Sequence, residues 1–178
     1  MKIVNAIVCC LVVGGCCLIT ACEDDDSTHR YGYCELRPNI VTNEDGEVDE
    51  SILDIGGKIR MREKLEHNGH LEMNITIHGL DPTLADGQVY LTPHQLGDLS
   101  EVCQSLGGAF QNTEDQIDVL VDEDGNFDTE LVTDDWTLVG PHALIGRSFV
   151  LHRCVPGSNN CEDRISCCII GLVNDQFW

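Results

Sequence analysis

Positive charge is scarce in this chain. Ten Lys and Arg stand against 31 Asp and Glu in 178 residues, a formal net charge of −21. Such a surface repels phosphate backbones and anionic lipid, so nucleic acid and anionic membranes are poor partners. Divalent cations and basic proteins suit it better, and the same charge keeps a secreted protein soluble. No CxxC pair occurs, which argues against a zinc finger. There is no Gly-rich phosphate loop and no basic–aromatic surface. No Ser/His/Asp or Cys/His arrangement carries a local nucleophile signature. Hydrolase and nucleotide-binding classes therefore gain no support. No long stretch repeats its apolar residues every 3.6 positions, so the chain is not helical in the main.

An apolar run does stand at the N-terminus. Residues 2–21 hold one Lys, then apolar residues with no acid. Asn5 and Gly14-Gly15 interrupt the run, and Glu23-Asp24-Asp25-Asp26 follow it in place of a basic stop. This pattern predicts a cleaved signal peptide, residues 1–21, rather than a membrane span. Ile19-Thr20-Ala21-Cys22 also fits a lipoprotein cleavage box, an alternative for cell attachment. Residues 22–30 are expected as an acidic disordered lead-in and residues 31–178 as one folded domain. The expected location is secreted and extracellular.

Five of the eleven cysteines sit at or before Cys22. The six that remain are Cys34, Cys103, Cys154, Cys161, Cys167 and Cys168. An even count in an exported domain predicts a disulfide framework, with 15 pairings open. Asn74-Ile75-Thr76 is an N-glycosylation acceptor and places that face in solvent.

The folded part alternates. Tyr31 to Arg37, Gly57 to Glu63, Leu71 to His78 and Gln88 to Thr92 read as strands, and Gln116 to Val121 and Phe127 to Leu131 as two more. His67-Asn68-Gly69-His70 reads as a hairpin turn, and Asp122-Glu123-Asp124-Gly125-Asn126 as an Asp-Gly turn from which Phe127 to Leu131 returns. Ile145 to His152 and Arg164 to Val173 are dense apolar strands that bring a His, an Arg and a Cys together. Many short strands with regular turns predict an all-β sandwich or barrel. His67, His70 and His78 are candidates for a surface metal site. The acidic clusters at Glu44–Glu50 and Asp122–Asp128 are candidates for weak cation binding, against solvated loops as the simpler reading.

Several motifs resemble the copper/zinc superoxide dismutase family. They are His94-Gln95-Leu96-Gly97-Asp98, Cys103, Gly107-Gly108-Ala109-Phe110, Asp122-Glu123-Asp124-Gly125, Ile145-Gly146-Arg147 ending in His152, and Arg164-Ile165-Ser166-Cys167-Cys168-Ile169-Ile170-Gly171. The resemblance implies an eight-stranded Greek-key β-barrel and an extracellular member of that family. Tyr33-Cys34-Glu35-Leu36-Arg37-Pro38-Asn39 is further similar to the dismutase-like proteins of molluscan haemolymph and shell fluid, the cavortin and pernin type. That likeness implies ion binding and self-assembly.

Carried over position by position, the resemblance makes His94 and His152 residual copper positions, Asp115 a residual zinc position, and Arg164 the arginine that guides superoxide. It pairs Cys103 with Cys167. Cys154 and Cys161 would then close the loop between the last two strands, and Cys34 would pair with Cys168. Thr92 replaces one copper histidine and Ala109 replaces the bridging one, so copper is left with an incomplete site and zinc with a single carboxylate. Copper(II) wants several nitrogen donors and zinc about four ligands. The expectation is a non-enzymatic ion-binding or structural protein, as a homo-oligomer or paired with a dismutase-like subunit. The rival is an active copper enzyme using His94, His152 and a third donor, for which His142 is the candidate to check.

Overall fold

Strict alternation of apolar and polar residues puts every second side chain on one face of a strand. In the computed structural model, which describes residues 11–13, 16–18, 28–42, 46–65, 70–84, 88–110, 116–154 and 161–178, this alternation builds a mostly β molecule. Two short strands, β1 (Leu11–Val13) and β2 (Cys16–Leu18), pair with each other within the N-terminal run. The folded domain contains β3 (His29–Pro38), β4 (Gly56–Lys64), β5 (Leu71–His78), β6 (Val89–His94), β7 (Ile117–Asp118), β8 (Phe127–Thr133), β9 (Ser148–Arg153), β10 (Asp163–Ile169) and β11 (Gly171–Val173). They form one curled antiparallel sheet in the order β7-β6-β9-β10-β3-β4-β5-β8, with β11 also on β3. Neighbours far apart in sequence, such as β10 beside β3 and β6 beside β9, give the Greek-key character of the expected barrel. No helix among the described residues is long and apolar enough to cross a membrane.

The inward face carries Ile59 and Met61 of β4, Leu71, Met73, Ile75 and Ile77 of β5, Leu91 of β6, and Phe149 and Leu151 of β9, all buried. Glu63 shares this inward row. Its carboxylate accepts from the Leu138 backbone N–H at 3.1 Å, which satisfies a polar group that burial would otherwise destabilise.

Three sequence expectations need correction. The first strand of the folded domain, β3, starts at His29, so His29 and Arg30 belong to the barrel and not to a disordered lead-in. Arg164 to Val173 is not one strand. It divides at Ile170, whose N–H donates to Arg147 and whose carbonyl accepts from Gly146, so β11 can leave β9 and finish on β3.

The strands flanking the Asp-Gly turn do not pair with each other, either. β7 joins β6 and β8 joins β5, because the turn at Asp122–Asn126 crosses between the two edges of the curled sheet. That crossing needs Gly125. It has φ +80°, and a Cβ there would lie 2.3 Å from the Leu80 carbonyl oxygen, while Leu80 N–H donates to the Gly125 carbonyl. Gly125→Ala is expected to cost about 2 kcal/mol or more from strain and displacement together. A chemical-denaturation midpoint equal to wild type would overturn that.

Candidate metal centre

His94 and His152 come from adjacent strands, β6 and β9, but not from facing positions. His94 is opposite Ser148 and His152 is opposite Tyr90. Their rings lean toward each other along the outer face of the sheet, beneath the loop at residues 95–108. The ring centroids are 5.1 Å apart and nearly stacked, and the two Nε2 atoms are 2.9 Å apart. His94 is buried and His152 half-buried.

The hydrogen bonds decide the tautomers. His94 Nδ1–H donates to the Gly107 carbonyl at 2.9 Å. A neutral ring so held keeps its lone pair on Nε2 and accepts the Nε2–H of His152. His152 Nδ1, which carries no proton in this tautomer, is then a buried nitrogen with no hydrogen-bond partner among the described residues; the Cys161 backbone favours the charged ring. Burial pulls His94 below the usual histidine range, with the Gly107 carbonyl opposing and the Arg164 charge adding to it. His152 is pushed down to about 4, first by burial, then by the charges of His94 and Arg164. Both rings are neutral near pH 7.

Arg164, opposite His152 on β10, is occupied by backbone. Its Nη1 donates to the carbonyls of Cys103 at 2.7 Å and Gln104 at 3.3 Å, and its Nη2 to Gly107 at 2.7 Å. Arg164 and His94 thus share the Gly107 carbonyl. The Cys103–Cys167 bond fixes the same loop to β10, and Cys34–Cys168 and Cys154–Cys161 are also bonded. All three expected pairings are present. Cys34 and Cys168 can meet because β10 and β11 both border β3.

The other expected site residues that the structure describes do not gather here. Asp115 and His67 lie outside the described residues. Thr92 faces Val150, and neither it nor Ala109 has an imidazole to offer. His142 lines a different cavity with Arg30, Glu63 and Asp134. His70 pairs with Asp134 at 2.7 Å, while His78 ends β5 about 26 Å away along the strand; they form no common site. The Asp122 carboxylate accepts from the backbone N–H groups of Asp124 and Asn126, so it caps a turn.

Two contributors escaped the motif reading. Asn39, buried, donates from Nδ2 to the Arg164 carbonyl at 2.6 Å and accepts the Cys103 N–H at 3.3 Å. Ser148, fully buried, donates to the Leu96 carbonyl at 2.7 Å. Each clamps the loop that holds Gly107. Asn39 ends the Tyr33–Asn39 segment, yet nothing local links it to Cys103, 64 residues on.

The donor set does not fit the family's metals. Among the described residues no three His, Cys, Asp or Glu side chains gather closely enough to hold an ion. The two imidazoles present turn their inner nitrogens to each other, and His94 commits its other nitrogen to Gly107. Two nitrogens fall short of what copper(II) or zinc requires.

Similarity to known proteins agrees with this frame. The chain is 23% identical over 172 residues to the extracellular superoxide dismutase [Cu-Zn] of Rattus norvegicus, covering 86% of this chain and 67% of that protein. It is 23% identical over 180 residues to the Homo sapiens protein of the same name, covering 88% and 69%, and 25% identical over 171 residues to that of Mus musculus, covering 86% and 65%. The family model for copper/zinc superoxide dismutase matches residues 55–170, from β4 through β10 and including both histidines, and the chain belongs to that family.

Proposed function

We propose that this protein is a secreted member of the dismutase family that has given up metal-centred catalysis and serves as a non-enzymatic, extracellular ion-binding or structural protein. One observation carries this reading: His94 and His152 satisfy each other, Nε2 to Nε2 at 2.9 Å, where an active centre would aim both nitrogens at a metal. The loop clamped by Arg164, Asn39 and the Cys103–Cys167 bond then acts as a structural lid over a neutral histidine pair. Secretion is supported by the N-terminal apolar run, by three disulfides, which persist in oxidising compartments, and by the extracellular relatives. A net charge of −21 favours weak, many-site attraction of divalent cations over one tight site. Self-assembly, or pairing with a dismutase-like subunit, belongs to the same proposal.

The test is the superoxide dismutation rate of the oxidised, copper-loaded mature chain beside His152→Ala. The expected rate equals buffer background in both. A copper-dependent rate abolished by the substitution would replace this reading with an enzyme in which Arg164 steers the anion.

A further inference from the structure

The outward face of the sheet, opposite the core, collects a second set of residues. Tyr33, Arg60 and Asn74 lie side by side across β3, β4 and β5, with Lys58 two residues along β4. The C-terminus folds back over them. Asn174 caps a short 3-10 turn at Asp175–Phe177. Phe177 then meets Tyr33 at 5.4 Å between ring centroids, and Trp178 meets Tyr31 at 6.5 Å with the Arg62 guanidinium 4.5 Å from its ring. The result is a cavity of ≈ 410 Å³ lined by Tyr33, Lys58, Arg60, Asn74, Phe177 and Trp178, among others.

Two features of this cavity are only partly used by the fold. Phe177 and Trp178 are 48% and 41% exposed, although both are ordered by contacts on one side. Lys58 and Arg60 form no ion pair among the described residues, although Glu130 lines the same cavity. Aromatic faces beside planar and cationic hydrogen-bond donors suit a saccharide: ring C–H groups lie on the π surface, and hydroxyl and acetamido oxygens accept from Lys and Arg. Asn74 itself begins the acceptor triplet Asn74-Ile75-Thr76. From Asn74 across β4 to Tyr33 is two inter-strand steps, about 10 Å, a span that the first sugars of a chain anchored at Asn74 would cover.

We infer that Asn74 carries an N-linked glycan whose first sugars lie in this cavity, against Phe177 and Trp178. The attachment is a group transfer to the extended chain before β5 pairs. The Asn74 amide nitrogen forms a bond to the anomeric carbon of a lipid-pyrophosphate-linked oligosaccharide. The bond from that carbon to the pyrophosphate oxygen breaks, the lipid pyrophosphate leaves, and the amide loses one proton. The fully folded strand would not serve, since Asn74 Nδ2 then donates to Glu130 at 3.2 Å. The glycan covers the two exposed aromatics and offers hydroxyl and acetamido oxygens as acceptors to Lys58 and Arg60. The inference rests on the secretion part of the proposed function.

The test uses the full chain expressed in a glycosylating eukaryotic host, beside Thr76→Val, which keeps a β-branched residue in the strand. Glycopeptide mass spectrometry reads occupancy at Asn74. Acrylamide quenching reads Trp178, because the other tryptophan, Trp136, is buried. The expected results are an occupied Asn74 and several-fold weaker quenching than in Thr76→Val. Trp178→Ala should in turn let an endoglycosidase strip the native protein several-fold faster. Secreted protein with a bare Asn74 would overturn the inference while leaving secretion intact; retention in the cytosol would overturn both. An occupied Asn74 with quenching equal to that of Thr76→Val would overturn the docking. Quenching of Thr76→Val that weakens as protein concentration rises would assign the cavity to a second copy and also overturn it.

Discussion

Alanine at both Cys103 and Cys167 will lower the melting temperature of the oxidised protein by roughly 10 °C. The bond closes a loop of sequence separation 64, and removing that constraint stabilises the unfolded chain by about 4 kcal/mol on the chain-entropy model. In a domain of about 150 residues each kcal/mol moves the midpoint by about 2–4 °C. The native side suffers too. Cys103, Leu106, Val150 and Cys167 form their own small buried cluster, and the loop they anchor supplies the carbonyls that Arg164 and His94 use. The double substitution avoids a stray thiol beside the Cys34–Cys168 bond. Calorimetry without reductant measures the effect. A midpoint within a degree or two of wild type would mean that Arg164 and Asn39 suffice to hold the loop.

Acid will destabilise the protein between pH 6.5 and about 4, and most of that loss will trace to the histidine pair. His152 has a folded value of about 4 against an ordinary 6.5, and His94 shifts the same way. A depressed value means that the unfolded chain binds the proton first. The stability these rings contribute is complete above pH 6.5 and is lost as the pH falls toward the folded value. For His152 alone the loss amounts to about 3 kcal/mol. Asp49 has its carboxylate held below the usual range by Ser51 first and Arg153 next, so its contribution fails only in stronger acid. Urea midpoints at pH 7.5 and pH 4.5 measure the slope. His152→Gln should flatten it, since an amide cannot titrate. An unchanged slope in that variant would place the acid sensitivity elsewhere.

Much of the barrel was legible in the sequence because sheets announce themselves locally. Alternation in Gly57–Glu63 and Leu71–His78 states which face is buried, and both strands sit where that pattern puts them. The boundaries were less legible. His29 and Arg30 look like a polar lead-in, yet β4 runs to Lys64 and pairs with them. Asp122 to Gly125 looks like a hairpin turn, since nothing local says that its two flanking strands belong to opposite sheet edges.

The surface pocket shows the same limit. Tyr33, Lys58, Arg60, Phe177 and Trp178 make no basic–aromatic stretch in the chain, because at most two of them are neighbours in sequence. Chain return through β10 and β11 makes them one site.

The sequence by itself determined the fold class, the cysteines available for disulfides and the absence of imidazoles at Thr92 and Ala109. These are properties of residue type and short-range pattern. Only the tertiary structure decided what the two surviving histidines do. Their state follows from Gly107, Arg164 and the Nε2 of the other ring, groups that β6, β9, β10 and one bonded loop bring within 3 Å. Hydrogen-bond direction and desolvation act over that distance and have no trace in linear order.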